Sequence, residues 1–254
     1  MTKLSVNLNK LALLRNQRDV GYPDLVDHAK IILGAGAHGL TIHPRPDQRH
    51  IRFSDIDVLS DFIIEWNTEN NTNIEYNIEG YPSDDFIARV LTTKPDQVTL
   101  VPDAPDQNTS DHGWNMQTQA DFLKPLIKKF TAQNIRVSLF LDPNPQDVQA
   151  CKDVGANRVE LYTGPYAENE IDIDQYVRTA NAAQEIGLGV NAGHDLNLDN
   201  LGKFISKLPH CAEVSIGHAL TADTLKMGWH AAVVAYLTAI EFGQKDVLND
   251  KEDA

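Results

Sequence analysis

The feature that most constrains the fold is a recurrence of short apolar segments, in most cases separated by stretches with helical periodicity. Apolar and β-branched segments of this length, bounded by polar turns, predict β-strands. Strand and helix alternating eight times within 254 residues are typical of a (β/α)8 barrel. The eight segments are LSVNLN (4–9), GLTIH (39–43), NIEYNI (73–78), QVTLVP (97–102), RVSLFLD (136–142), RVELYTG (158–164), GVNAGH (189–194) and EVSIGH (213–218).

We therefore predict one α/β domain, a single-domain (β/α)8 TIM barrel over residues 1–254, with a polar tail over about 244–254. No stretch rich in proline, glycine or serine divides the chain. The structural alternative is a doubly wound open sheet, which more often places a glycine-rich turn after its first strand. Here the first strand leads into NLNKLALLRNQR (7–18), which contains no glycine, and this favours the barrel.

Composition narrows the function classes. The net charge of −14 argues against nucleic acid or an anionic membrane as partner. Mean hydropathy is −0.34, and no apolar run approaches the roughly 20 residues that span a bilayer. The first residues lack the apolar core and cleavage site of a signal peptide, so we expect a cytoplasmic protein. A local cluster of cationic side chains can still bind an anionic small molecule.

Polar side chains stand at or near the ends of several predicted strands, and barrel enzymes carry their chemistry at the carboxyl ends of the strands. One such residue alone commonly caps a helix or bonds a loop, so the signal is their convergence. Two glutamates lie inside apolar segments, where burying an unpaired carboxylate is costly. The candidates are Asn7, Asn9, His43, Glu75, Glu160, His194 and His218.

A Gly-His pair ends each of the last two predicted strands, in VNAGHDL (190–196) and VSIGHAL (214–220). Glycine lets an anion approach the backbone closely, and barrels often bind phosphate after their seventh and eighth strands. Simple turn formation is the alternative explanation. Cationic residues also cluster after the first two strands, which suits substrates carrying two phosphates. These residues are Lys10, Arg15, Arg18, His43, Arg45, Arg49 and His50.

A metal site is a competing use of His50, His194 and His218 with either glutamate, but no HxH, HExxH or aspartate-rich spacing supports it. We therefore predict no metal ligands. The two cysteines, Cys151 and Cys211, have neither a metal-binding nor a redox spacing.

In combination the motifs resemble the pyridoxine 5′-phosphate synthase family, barrel enzymes that close the ring of vitamin B6. The resemblance covers roughly residues 3–240, and several motifs occur in the right order. They are VNLNKLALLRNQR, GLTIHPRPDQRHI, NIEYN, KPDQVTLVPD, VSLFLD, VELYTGPYA, VNAGHDLN and SIGHAL.

The resemblance implies a transferase-class enzyme that condenses 1-deoxy-D-xylulose 5-phosphate with 3-amino-2-oxopropyl phosphate, without metal or organic cofactor, and that assembles as a homo-octamer. It implies that His43 and Glu75 accept protons, that His194 donates one, and that Glu160 stabilises the transition state. The implied amino-ketone phosphate site comprises Asn7, Arg18, Asp195, Gly217 and His218. The implied deoxyxylulose phosphate site comprises Asn9, Lys10, Arg45, His50 and Thr109.

The chain departs from the family pattern in two motifs, at three positions. Some members have Asp-His where this chain has Asn9 and Lys10, and glycine is common where it has Asp195. The alternatives in function are another phosphosugar isomerase or aldolase barrel, for which Lys10 is the only candidate Schiff-base lysine, and a non-catalytic barrel that binds a phosphometabolite. We also expect the long segment 103–115 to cover the site.

Overall fold

A computed structural model describes residues 1–103, 107, 109–169 and 171–252, with only the backbone described over 246–252. Residues 104–106 and 108, in the segment expected to cover the site, lie outside the described residues. Eight parallel strands form a closed barrel in chain order, and β8 pairs with β1 to close it. They are β1 (Lys3–Asn7), β2 (Gly39–Ile42), β3 (Glu75–Gly80), β4 (Gln97–Leu100), β5 (Arg136–Leu141), β6 (Arg158–Tyr162), β7 (Gly189–Gly193) and β8 (Cys211–Ile216). The predicted barrel is confirmed.

Helices surround the barrel, and local signals set several of their starts. The Asp24 side chain accepts a hydrogen bond from the Asp27 amide at the start of α2, and the Asn115 side chain caps α5 in the same way. The helices are α1 (Asn9–Arg15), α2 (Leu25–Gly34), α3 (Phe53–Asn70), α4 (Asp84–Thr93), α5 (Met116–Thr131), α6 (Val148–Asp153), α7 (Gly164–Ala167), α8 (Ile173–Glu185), α9 (Leu201–Lys207), α10 (His218–Met227) and α11 (Trp229–Glu252).

The polar segment expected as a tail from about residue 244 continues α11, whose backbone is helical as far as Glu252. No helix in the described part of the chain is both long and apolar enough to cross a membrane.

The apolar core lies mainly between the barrel and its helices. Alternate strand residues such as Leu40, Leu139 and Val214 are fully buried there. The intervening residues are mostly polar. Their side chains point into the barrel, since their hydrogen bonds join strands that are not neighbours. Thr99 on β4, for example, donates to Glu160 on β6 across 3.4 Å. The interior is therefore a polar column, in contrast to the branched apolar layers common in this fold.

The two ends of this column differ. We call the carboxyl ends of the strands the mouth and their amino ends the floor. At the floor Glu75, the first residue of β3, forms ion pairs with Lys3 and Arg136. Nearby, Arg158 faces Glu213 at 3.7 Å. The floor is thus closed by paired charges, and the open pocket lies at the mouth.

Candidate active site

The mouth holds a pocket of about 560 Å³. All but two of the predicted site residues line it, Glu75 and Arg18 being the exceptions. Those brought together are Asn7, Asn9, Lys10, His43, Arg45, His50, Thr109, Glu160, His194, Asp195, Gly217 and His218. Arg49, predicted as part of the cationic cluster, lines the pocket too. The lining also includes residues that were not predicted, namely Leu13, Glu79, Val101, Ser110, Phe140 and Ser215.

The placement predicted for Glu75 is wrong. It stands at the amino end of β3 and is held at the floor by Lys3 and Arg136. The glutamate that reaches the pocket is Glu79, near the carboxyl end of the same strand. The tripeptide NIE occurs twice, at 73–75 and 77–79, and the prediction used the first copy. The rule that barrel chemistry lies at the carboxyl ends of strands would have selected the second.

Arg18 is also not where the resemblance suggested. It is exposed in the segment after α1 and does not line the pocket. The buried cation of this region is Arg15, whose guanidinium donates to both carboxylate oxygens of Asp55 at 2.7 and 2.8 Å. Arg15 also donates to the His50 carbonyl, so its role is to hold the loop that carries His50.

His43 and Glu79 form the first acid–base pair of the pocket. His43 Nδ1 lies 4.0 Å from Glu79 Oε2, and both side chains are buried. Burial, together with the nearby Arg45, His50 and Arg49, lowers the pKa of His43 well below its ordinary value. Burial and the neighbouring carboxylates raise the pKa of Glu79 well above its ordinary value. Both pKa shifts favour the uncharged forms of the pair, a neutral imidazole and a carboxylic acid.

Glu160 is the second buried carboxyl group. Burial and the charge of Glu213 raise its pKa to about 8. The Cβ of a residue replacing Gly193 would lie 2.3 Å from Glu160 Oε1, so the glycine leaves room for this carboxyl. The glycine of the first Gly-His pair thus accommodates a protein side chain, whereas the sequence suggested close approach of a phosphate.

His194 follows β7 directly, at the mouth of the barrel. Its Nδ1 lies 2.7 Å from Asp195 Oδ2, and its Nε2 lies 2.7 Å from the Thr109 hydroxyl. The hydrogen bond from His194 lowers the pKa of Asp195. Both His194 and Asp195 have left-handed backbone, with φ of 86° and 57°. That conformation favours glycine, which is the residue common at position 195 in the family.

Cations form one wall of the pocket, from Lys10 on α1 to the loop after β2, where Arg45, Arg49 and His50 lie. Burial, Arg45, Arg49 and Lys10 lower the pKa of His50 to about 4, so His50 is neutral at pH 7. An anion here would meet two arginines, a lysine and a neutral imidazole.

A second wall begins at the end of β8, the neighbour of β1, where Gly217 precedes the first turn of α10. The side chain of Asn7 fixes this corner: it accepts from the Asn9 amide at 3.0 Å and donates to Glu79 at 3.3 Å. The Cβ of a residue replacing Gly217 would lie 3.1 Å from the Asn7 Cβ. The Asn9 side chain in turn accepts from the His43 amide at 2.9 Å. Backbone amides at a helix start suit a second anionic group.

Within the described residues, no group of three or more His, Cys, Asp or Glu side chains is arranged to hold a metal ion. The arrangement can bind two anions, one at each wall, and move protons between groups that line the same pocket.

A family profile described as "Pyridoxal phosphate biosynthesis protein PdxJ" matches residues 4–242. The chain belongs to this family. It is 49% identical over 245 residues to "Pyridoxine 5'-phosphate synthase" of Brucella abortus (strain S19), covering 94% of this chain and 98% of the relative. The protein of the same name from Chelativorans sp. (strain BNC1) is 50% identical over 248 residues, with the same shares covered. Family membership makes the chain an enzyme of vitamin B6 biosynthesis, as predicted.

Two solved structures of low sequence identity resemble the chain in fold alone. The tryptophan synthase alpha chain of Legionella pneumophila subsp. pneumophila superposes with a TM-score of 0.64 at 12% identity, covering 94% of this chain and 92% of that chain. A structure titled "Native KDPGal structure" gives a TM-score of 0.61 at 11% identity, covering 95% and 96%.

Proposed function

We propose that the chain is a pyridoxine 5′-phosphate synthase that condenses 1-deoxy-D-xylulose 5-phosphate with 3-amino-2-oxopropyl phosphate. The products are pyridoxine 5′-phosphate, inorganic phosphate and water. The observation that carries the proposal is the convergence of His43, Glu79, Glu160 and His194 in one pocket between two anion-binding walls. Imine formation, tautomerisation, phosphate elimination and ring closure each move protons, so several acid–base groups must reach the same substrates.

In this proposal His43 accepts protons, since its lowered pKa keeps it neutral. Glu79 takes the second acid–base role that the sequence had assigned to Glu75, because it lies beside His43 in the pocket. His194 donates a proton, and the adjacent Asp195 carboxylate stabilises the charged imidazole. Glu160, whose raised pKa keeps it protonated at neutral pH, stabilises the polarised transition state by donating a hydrogen bond.

The cationic wall binds deoxyxylulose phosphate through Lys10, Arg45 and His50, with Asn9 and Thr109 nearby. The second wall, at the end of β8, binds the amino-ketone phosphate through Asn7, Gly217 and His218. We propose that Asp195 orients His194 and does not contact phosphate, because a carboxylate beside a phosphate is unfavourable. Holding both substrates in place supplies a large part of the rate by proximity.

The test is a product assay with chelator-treated protein and both substrates, reading pyridoxine 5′-phosphate by fluorescence and phosphate release in parallel. We expect equal formation of both products, lost in His43→Ala. Binding of both substrates without product would favour a non-catalytic barrel. Turnover of deoxyxylulose phosphate alone would favour a phosphosugar isomerase or aldolase.

We further propose a homo-octamer in the cytoplasm. Large exposed apolar side chains such as Leu225, Tyr22 and Val20 support association with further copies. Light scattering of the purified protein measures the assembly, and a monomer would contradict it.

A further inference from the structure

A buried carboxylate behind the pocket has no part in the function proposed above. Asp103 follows β4 and is almost fully buried, yet it does not line the main pocket. It faces a separate cavity of about 200 Å³, whose wall it shares with His43 and Arg45. The carboxylate therefore acts on the substrates through neighbouring residues that do line the main pocket, His43 and Arg45 among them.

The contacts of Asp103 are divided unequally between its oxygens. Its Oδ2 forms an ion pair with Arg45 and accepts from the Ser110 hydroxyl at 2.8 Å. The same oxygen lies 4.0 Å from His43 Nε2. Its Oδ1 is buried and accepts no hydrogen bond from any described residue. A buried carboxylate oxygen without a donor is unusual, and it leaves Asp103 with capacity to accept a further hydrogen bond.

His43 thus lies between two carboxyl groups, with Glu79 4.0 Å from Nδ1 and Asp103 4.0 Å from Nε2. If Nε2–H donates to Asp103, the lone pair of Nδ1 faces Glu79 and the imidazole has one defined tautomer. A carboxylate that orients a histidine base in this way is a recurring device in enzymes.

Resting on the proposed function, we propose that Asp103 is a positioning residue shared between Arg45 and His43, so that phosphate binding at Arg45 releases the carboxylate to orient the His43 imidazole. Arg45 lines the pocket while also bonding Asp103 and the Gln107 carbonyl. A phosphate dianion competes with Asp103 for this guanidinium. The base then takes its working orientation only when the phosphosugar is present.

The charges around His43 also favour its action as a base when the phosphosugar is bound. Bound phosphate offsets the cations that lower the pKa of His43, and the freed carboxylate favours the protonated imidazole. The charged and titratable groups that face His43 are Glu79 from β3, Asp103 from the segment after β4, and Arg45, Arg49 and His50 from the loop after β2.

The test compares Asp103→Asn and Asp103→Glu with wild type in the product assay. We expect Asp103→Asn to lower kcat by about 100-fold with less than about a threefold change in KM for deoxyxylulose phosphate. The acid limb of its pH profile should move to lower pH, because the base loses a stabilising carboxylate. Asp103→Glu should recover much of kcat.

The matched control is Asp85→Asn. Asp85 lines the same small cavity but pairs with Arg89 at 3.0 Å, so its loss leaves His43 and Arg45 untouched. We expect wild-type kcat, KM and pH limb. A tenfold rise in KM with unchanged kcat and pH limb in Asp103→Asn would show that Asp103 only holds Arg45, and would overturn the proposal.

A measurement on wild type covers the case in which Asp103→Asn does not fold. Histidine NMR, assigned with His43→Gln, reports the pKa of His43 with and without deoxyxylulose phosphate. We expect the pKa to rise on binding, and an unchanged or lower value overturns the proposal. Wild-type protein without product defeats the proposed function, whereas an active wild type with a wild-type-like Asp103→Asn defeats this inference alone.

Discussion

Glutamate has a different role at the mouth of the barrel from the role it has at the floor. Glu75 and Glu79 lie on one strand, four residues apart, and both are buried. Burial alone would raise the pKa of Glu75, but hydrogen bonds from Lys3 and Arg136 outweigh burial and lower it. At Glu79 burial raises the pKa, and the neighbouring carboxyl groups raise it further. Burial acts in the same direction on both glutamates, so their partners decide whether a barrel carboxylate closes the structure or handles protons.

The largest effect that we predict separates these two residues by activity. Glu79→Gln should lower kcat by about 100- to 1,000-fold, because an amide cannot exchange a proton beside His43. Its melting temperature should stay near that of wild type, since a protonated carboxyl and an amide are similar in charge and size. Steady-state kinetics and thermal unfolding are the measurements.

Glu75→Gln should lower the stability of the fold and leave kcat unchanged. It leaves Lys3 and Arg136 without their carboxylate, and we expect a loss of roughly 1–3 kcal/mol in the free energy of unfolding. The kcat of the folded fraction should remain at the wild-type value. A large loss of kcat in Glu75→Gln with Glu79→Gln still active would reverse the assignment of mouth and floor.

The two ends should also differ in how pH affects stability. Glu160 keeps its proton in the folded state up to a pH of about 8, against about 4.3 for an unperturbed glutamate. Between these values the folded state holds the extra proton, so the free energy of unfolding falls as pH rises. We expect Glu160→Gln to flatten the decline in melting temperature between about pH 5 and about pH 8.

For Glu75 the pH dependence of stability has the opposite sign. Its lowered pKa stabilises the fold above the ordinary glutamate pKa, and this stabilisation disappears as pH falls below that value. Glu75→Gln should therefore flatten the acid side of the melting curve and leave the alkaline side unchanged. Equal slopes in wild type and both variants would contradict the contrast.

The glycines of the two Gly-His pairs, Gly193 and Gly217, can be compared within the mouth, with smaller expected effects. Gly193→Ala places a Cβ 2.3 Å from Glu160 Oε1, so the carboxyl must move. A shift of this kind should lower kcat by about 10- to 100-fold and destabilise the fold by about 1 kcal/mol. Gly217→Ala meets Asn7 at 3.1 Å and should cost less than Gly193→Ala on both measures. The opposite order of the two variants in kcat would show that Glu160 does not need its present position.

The smallest predicted effect concerns Asp195, whose φ is 57°. Asp195→Gly and Asp195→Ala both remove the hydrogen bond to His194, but only glycine relieves the left-handed backbone. We expect the glycine variant to be more stable than the alanine variant by about 1 kcal/mol, with similar kcat in the two. Denaturant unfolding measures the difference, and equal stabilities would show that this backbone carries no strain.

The sequence by itself determined the barrel, because strand and helix periodicities alternate along the whole chain and depend only on local pattern. It also identified most of the pocket, since residues at the carboxyl ends of parallel strands must meet at one end of the barrel. His43, Glu160 and His194 were found on this basis, and all three line the pocket.

The tertiary structure showed which copy of NIE reaches the mouth, which the apolar pattern of the strand leaves open. Both copies fit the same apolar strand, and the pairing of Glu75 with Gly39 at the start of β3 sets which glutamate faces the pocket. Asp103 was missed for a similar reason: in the sequence it reads as part of a turn, PDAPD (102–106). Its contacts with Arg45 and His43 join residues 58 and 60 positions away, and such distant contacts follow from barrel closure, which no local pattern encodes.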